Sequence, residues 1–490
     1  MSFSGSLKDG RSVWLDGVKV DVTTHPAFTG TLETITYLLA LLDDENNQSI
    51  AGFKSPKRNR FVHSAFYIPR SYEDLIKRKK AFALWSNKTY GVMSRLSDYA
   101  NSLITGYYLD RHQFAQYDAG FVEKITKYYE LARDERRIVT TAILDPQIDR
   151  SKPAEEQDED ALLRIIRETE EGVVVRGAKM IATGAPYAHD VIVTSPQKLS
   201  PNQIAQANMF IVPLNLPGLQ IVCRESFASN KEHHKLSSRF DEMDAVLLFD
   251  DVLIPWDRVL IKGSPEGVLK AHRHQQLDAL AQHQTVVRLL SKLEFIAGVT
   301  TAIAQSIGAD YFLHVQEKIG ELYTQIDSIE ALLISSEKEG HLNEQNVYLP
   351  NITPLQTARN LGTHFYGRAL DILKQIGAGG FIQLSSTPIL ENHKLYPLFS
   401  KYYKGAKVDA RTKENLFRIG WELIGSQLGS RHDLYERFYT GDPIRVYALQ
   451  YETYDKSYLR NKLNHFLNNY LIEREVNEDE YADSVFAEVE

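Results

Sequence analysis

The chain has 490 residues, a formal net charge of −8 and an ordinary share of apolar and charged residues. That acidity argues against a protein that grips a phosphate backbone. A single cysteine, Cys223, excludes an internal disulfide framework and any cysteine-rich metal or iron–sulfur site, and points to a reducing compartment.

A chain of this length buries a large core and commonly divides into several domains. The opening MSFSGSLKDGRS shows no basic n-region followed by an apolar h-region, and no apolar run is long enough to span a bilayer, so a cytoplasmic protein is expected. Residues 1–145 read as mainly helical. Ser71 and Asp74 form a capping box, and a helix is expected over Phe121–Ile143, up to Asp145–Pro146. His25 reads as a turn or packing residue. The acidic stretch Lys152–Asp160 leads into an expected short helix through Arg167.

From Gly172 the periodicity changes. GVVVRGAKMIATGA, HDVIVTS, NMFIVPL, GLQIVCRESF and AVLLFDDVLI are short β-rich runs separated by turn residues, which predicts an antiparallel sandwich or barrel over 146–263. Cys223 lies in one of these runs and reads as a core thiol. Arg239–Lys262, RFDEMDAVLLFDDVLIPWDRVLIK, reads as two short strands and a turn around Asp250–Asp251.

Beyond Ser264 the pattern is helical again. Val286, Leu289, Leu293 and Ile296 form one apolar stripe, and Val315, Ile319, Leu322, Ile326, Ile329 and Leu333 a second. Thr357–Ile376 and Thr412–Leu428 add two helices, which predicts a C-terminal four-helix bundle over 264–490. The acidic end, Glu473–Glu490, reads as partly disordered.

Arg239–Lys262 resembles the FDE…DA…FDDV…PW signature of the 4-hydroxyphenylacetate 3-monooxygenase oxygenase family. Leu7–Phe28, Met93–Asn101, Thr140–Arg150, Ala178–Ser195 and GSQLGSRHDLYERFYTGDP (Gly425–Pro443) are similar to that family too, so the resemblance runs almost end to end. It implies an α+β, acyl-CoA-dehydrogenase-like fold with an N-terminal helical domain (1–145), a central β-domain (146–263) and a C-terminal bundle with tail (264–490). It also implies a homotetramer and a flavin enzyme. No NAD(P)H fingerprint stands in the chain, so reduced FAD would come from a separate NAD(P)H–flavin reductase. With O2 it would form a C4a-hydroperoxide that hydroxylates a small aromatic, phenol-like substrate.

Residue by residue, the resemblance places Arg95 and Tyr99 in the substrate pocket. An arginine can hold a phenolate or carboxylate there, with a tyrosine four residues on sharing the helix face. Thr183 and Thr194 fall on flavin-facing strands. Gly379 lies in a glycine-rich segment near a neighbouring subunit's flavin, and Ser426, Arg431 and Tyr435 near the FAD chain. The chain departs from the family at Thr141, where the family has a substrate-contacting histidine. A threonine hydroxyl is no base near neutral pH. His283 is the candidate replacement, with Arg288 and Lys292 beyond it as possible contacts of an anionic cofactor. The departure leaves open an atypical or nitrogen-containing substrate in a biosynthetic pathway, or a non-catalytic flavin-binding scaffold. A cluster-dependent dehydratase is disfavoured by the single cysteine, and an acyl-CoA dehydrogenase by a poorer sequence match.

Overall fold

The computed structural model describes residues 2–470 except 147, 150, 153–155, 158–161, 197, 229–233, 273–274 and 440. Glu473–Glu490 and part of the stretch 152–160 lie outside the described residues. The chain forms two compact units, Met1–Thr440 and Gly441–Glu490. Leaving minor turns and hairpins aside, the first unit begins with a hairpin of β1 (Ser12–Leu15) and β2 (Val18–Val20). The helices α1 (Pro26–Ala40), α2 (Tyr72–Lys88), α3 (Ser97–Leu109) and α4 (Phe121–Asp134) follow. Next come β3 (Val139–Ala142), β4 (Arg164–Glu168), β5 (Gly172–Lys179), β6 (Asp190–Val193), β7 (Met209–Pro213), β8 (Leu219–Cys223), β9 (Ala245–Pro255) and β10 (Val259–Ile261). The unit closes with α5 (Gln275–Ser306), α6 (Leu313–Lys338), α7 (Ile352–Gly377), α8 (Ala410–Ile424) and α9 (Gln427–Phe438). The second unit carries α10 (Pro443–Thr453) and α11 (Ser457–Tyr470). No helix among the described residues is long and apolar enough to cross a membrane.

Helix starts follow local chemistry. Ser71 caps α2 by accepting from the Asp74 amide, and His25 caps α1 by accepting from the Ala27 amide through Nδ1. Each satisfies an amide that the helix itself leaves unpaired.

The β-rich segment does not close into a barrel. It forms two open sheets, ordered β2-β1-β8-β9-β5-β4 and β10-β7-β6-β3. Nor are the sheets wholly antiparallel: β1 runs parallel to β8, and β3 parallel to β6. They recruit residues 12–20 and 139–142, so strands from outside 146–263 belong to the β layer. The expected helix over Phe121–Ile143 stops at Asp134 because Arg136 adopts a left-handed φ of 53° and the run Ile138–Thr141 is β-branched. The expected helix through Arg167 is the edge strand β4, paired antiparallel with β5.

The two short strands expected in Arg239–Lys262 are one eleven-residue strand, β9, and then β10. Its register shifts between Phe249 and Val252, where Asp251 takes φ 52° and pairs with Arg176. This is a bulge that bends the strand without ending it. The helix expected over Thr412–Leu428 ends at Ile424, and Ser426 caps a new one, α9.

One apolar core runs through Val173, Ile221, Leu289, Ile329 and Leu370, joining the sheets to the C-terminal helices. Helix α5 is its axis and packs on α2, α3, α6, α7 and α8. It also buries His283, Gln284, Arg288 and Lys292, so its polar groups need partners inside the protein. Gly91, at φ 65°, lies so close to the Lys292 backbone that a Cβ would meet it at 2.6–2.7 Å. This brings Val92–Arg95 against α5.

Candidate active site

A narrow cleft opens where the start of α3, β3, the turn after β5 and the lead-in to β9 converge. Its lining includes Trp85, Arg95, Ile138, Thr140, Thr183, Tyr187 and Glu242. Most of the wall is apolar or aromatic, with polar groups at a few points, which suits a small organic ligand.

Arg95 is the cation of this cleft. Its guanidinium lies between the rings of Tyr99 and Tyr439, 4.6 and 4.7 Å from their centroids, and its Nε donates to the Tyr435 hydroxyl at 3.1 Å. Its backbone amide donates to Glu242 Oε1 at 2.6 Å. The rings hold the guanidinium plane by cation–π attraction without neutralising it. Tyr99 and Tyr435 are both raised above an ordinary phenol by burial, so both are neutral hydroxyls here.

Behind the cleft, Arg431 grips Asp244 with a fork, Nε–Oδ2 2.8 Å and Nη2–Oδ1 2.7 Å. Arg431 also reaches Glu242 at 3.4 Å and covers the Tyr435 ring. Arg224 adds a contact to Asp244 at 3.0 Å, and the Thr183 hydroxyl donates to it at 2.6 Å. Burial alone would raise the Asp244 carboxyl, but the two guanidiniums and the hydroxyl bring it well below the usual carboxylate range. Burial dominates at Glu242 and raises its carboxyl.

Deeper still, Glu436 collects Arg288, Lys292 and Ser94. Lys292 also meets His432 Nδ1 at 3.0 Å, and Arg288 lies over the Tyr439 ring at 4.9 Å. Arg288 and Lys292 are therefore engaged by an internal carboxylate.

The other expected site residues fall in different places. Thr141 is buried on β3, but its neighbour Thr140 lines the cleft and donates to the Thr183 carbonyl at 2.6 Å. Thr194 follows β6, and its buried hydroxyl has no partner among the described residues. His283 is fully buried on α5, with Nε2 2.9 Å from Glu337 and its ring edge-on to Phe82; it does not line the cleft. Burial lowers its imidazole below the ordinary range. Ser426 spends its hydroxyl on capping α9 and on the Glu422 carbonyl. Gly379 is exposed, just after Ala378, which takes φ 40°. Cys223 is half-buried with its thiol pushed up to about 12 by burial, which leaves it inert as a nucleophile near neutral pH.

Sequence reasoning missed Glu242, Asp244 and Tyr439 as site residues. The first two stand inside the FDEMDA run, which carried the resemblance but no assigned role. Tyr439 lies eight residues after Arg431, two turns on.

The comparisons with known proteins agree with this architecture. The 4-hydroxyphenylacetate 3-hydroxylase N-terminal family matches residues 1–261, and the corresponding C-terminal family matches 274–468. The 4-hydroxyphenylacetate 3-monooxygenase oxygenase component of Thermus thermophilus is 35% identical over 460 residues, 93% of this chain and 94% of that protein. A crystal structure of such an oxygenase component, complexed with FAD and 4-hydroxyphenylacetate, superposes with a TM-score of 0.90. It is 34% identical and covers 95% of this chain and 97% of its own. An archaeal 4-hydroxybutyryl-CoA dehydratase from N. maritimus, 21% identical with a TM-score of 0.84 over 99% of this chain and 98% of its own, shares the fold. With both halves matched and the fold superposed, the chain belongs to the 4-hydroxyphenylacetate 3-hydroxylase family of flavin-dependent monooxygenase oxygenase components.

Proposed function

We propose that this chain is the oxygenase component of a two-component monooxygenase that uses reduced FAD and O2 to hydroxylate a small phenol-like aromatic. The observation that carries this reading is Arg95, a cation held between two tyrosine rings, sharing an otherwise largely apolar cleft with Thr183. The residues present fit a flavin: Thr194 offers a buried hydroxyl with no partner among the described residues, and a buried polar atom left so is costly unless a ligand meets it. Thr183 and Thr194 would meet the flavin ring. Ser426, Arg431, Tyr435 and Gly379 belong to the wider cofactor surround, with Arg431 and Ser426 acting through their internal bonds. Reduced FAD, when bound, supplies the activation of O2 and the oxygen that is transferred.

The chain's own residues supply the rest. Arg95 fixes the anionic end of the aromatic substrate, and Tyr99 stiffens it and adds a hydroxyl. Trp85, Ile138 and Tyr187 keep water from the cleft. His283, paired with Glu337, holds α5 to α6. In this reading a separate NAD(P)H–flavin reductase supplies reduced FAD. The protein works in this reading as a cytoplasmic homotetramer, with an N-terminal helical domain, a central β-domain that also takes in residues 12–20 and 139–142, and a C-terminal helical bundle with tail.

The test is to supply photochemically reduced FAD, oxygen and 4-hydroxyphenylacetate, and to measure the dihydroxylated product and hydrogen peroxide together. Product approaching one equivalent per flavin oxidised is expected. Peroxide alone would remove the hydroxylase reading for this substrate. Thr141 specifically favours a second reading, oxygenation of an atypical or nitrogen-bearing aromatic that needs no proton removed. A panel of such compounds in the same assay separates the two, and peroxide with every compound leaves the non-catalytic scaffold.

A further inference from the structure

Of the polar side chains that line the cleft, only one can take a proton near neutral pH. Arg95 is a permanent cation. Thr140 and Thr183 spend their hydrogens on the Thr183 carbonyl and on Asp244, and a threonine hydroxyl is no base in any case. Ser97 donates to the Arg137 carbonyl and accepts from the Val139 amide. Tyr187 is a neutral phenol, raised by burial, that donates to the Asp241 carbonyl. The remaining group is Glu242.

Glu242 has room for a further donor. A carboxylate offers about four lone-pair sites. The Arg95 amide takes one on Oε1 at 2.6 Å, and Arg431 reaches Oε2 at 3.4 Å. The charged and titratable groups that face it are Arg431 and Tyr435 on α9, Lys292 on α5 and Asp244 two residues on. Burial raises its carboxyl, while Arg431 and the amides of Arg95 and Ser94 draw it back. The result is a stronger base than an exposed glutamate.

We propose that Glu242 is a catalytic residue, the proton acceptor for the hydroxyl of a phenol bound in the cleft, in the role that Thr141 cannot fill. The proposal rests on the hydroxylase reading. Overall, the phenol, O2 and reduced FAD give the dihydroxylated ring, water and oxidised FAD. As the ring carbon beside the hydroxyl bonds one atom of O2, the O–H electron pair becomes the second bond of a ring carbonyl, and the proton passes to Glu242. Loss of the hydrogen from the oxygenated carbon then returns its C–H pair to the ring, and the carbonyl oxygen takes its proton back, so Glu242 ends as it began. The other atom of O2 leaves as water, reduced by the electron pair of reduced FAD.

The first measurement needs no turnover. The probe is 3-fluoro-4-hydroxyphenylacetate, bound to the protein with oxidised FAD, and a pH titration of its fluorine resonance reads the ionisation of its hydroxyl. A carboxylate that accepts the hydroxyl hydrogen holds the phenol neutral. At a given pH the ionised fraction of the bound probe should be about tenfold smaller than that of the free probe, and Glu242→Gln should abolish the difference. The second measurement is product formation from 4-hydroxyphenylacetate across pH. Glu242→Gln should slow it about a hundredfold at pH 7. The loss should recover as the pH rises toward about 10, where a phenol ionises unaided.

A bound probe that ionises like the free one in the unaltered protein overturns the proposal. So does a folded Glu242→Gln that keeps the shift or the rate at pH 7. A loss that does not recover in alkali also overturns it, and makes Glu242 a support of Arg95. Should Glu242→Gln not fold, the titration of the unaltered protein decides: a tenfold suppression of ionisation supports the proposal, and none overturns it. Peroxide without product from the unaltered protein with every phenol removes the hydroxylase reading and the proposal with it, whereas product together with an unshifted probe removes the proposal alone.

Discussion

Arg288 on α5 and Glu436 on α9 form a forked ion pair inside the protein, Nη1–Oε1 2.5 Å and Nη2–Oε2 3.1 Å, with both side chains almost wholly buried. Lys292 shares the same carboxylate at 2.8 Å. Burial would raise the Glu436 carboxyl, but the two cations bring it down to about 2. Replacing it leaves two buried cations unanswered, so Glu436→Gln should cost about 3–5 kcal/mol of unfolding free energy, measured by urea denaturation at pH 7. Because the folded carboxyl sits below its unfolded value of 4.5, its contribution is complete above that pH and is lost as the pH falls toward 2. The variant should therefore lose less stability than the parent between pH 5 and 3.

Asp98 behaves in the opposite sense. It is fully buried on α3; Oδ1 accepts from Gln284 and the Tyr99 amide, and Oδ2 has no partner among the described residues. Burial pushes its carboxyl up to about 7. Between its ordinary value of 3.8 and about 7 the folded chain binds the proton more tightly, so this group lowers stability as the pH rises through that window. Asp98→Asn keeps the Oδ1 acceptor and abolishes the charge. It should gain about 1–3 kcal/mol over the parent at pH 8 and little at pH 4. Equal gains at both would disprove the titration.

Arg95→Lys keeps the charge and loses the plane that lies between Tyr99 and Tyr439. The KM for 4-hydroxyphenylacetate should rise about tenfold, with Tm changed by only a few degrees. A KM left as it was would place the substrate anion elsewhere.

Thr141→His tests the departure on β3. If the substrate is a phenol, the imidazole should raise product per flavin oxidised and add a limb to the pH profile near pH 6–7, where an ordinary histidine titrates. The parent profile should lack that limb.

His283→Gln should act on stability and leave the chemistry alone. Its imidazole is tied to Glu337, which Lys79 also meets at 3.0 Å. Loss of about 1–3 kcal/mol in urea denaturation is expected, with product yield per flavin unchanged. A large fall in yield with stability intact would return His283 to the reacting groups.

The sequence made the order of helices, strands and helices legible because each of the five β-rich runs carries its own period and turn residues. The Ser71 cap was legible because a capping box is local. What escaped were features decided at a distance. The strand Val139–Ala142 reads as a helix end until Asp190–Val193 lies beside it. The fate of Arg288 and Lys292 depends on Glu436, more than 140 residues away. Arg95 and Tyr99 were legible together because they stand four residues apart, although the helix expected to carry both starts only at Ser97 and leaves Arg95 in the turn before it, whereas Glu242 and Asp244 gain meaning only when Arg95 and Arg431 arrive from opposite ends of the chain.

Helix α9 and the residue after it give the site Arg431, Tyr435, Glu436 and Tyr439 from less than three turns of backbone. A shift or rotation of that one rod would disturb the grip on Asp244, the bond to Arg95, the burial of two cations and the ring over Arg95 at once. The β3 side of the cleft is tied in through the bond from Thr140 to the Thr183 carbonyl, and Thr141 beside it stands apart from that bond. Variation in what the enzyme accepts is thus cheap on the strand side and prohibitive on the helix side, and new substrate ranges in chains of this build should arise by edits to β3 against an unchanged helix.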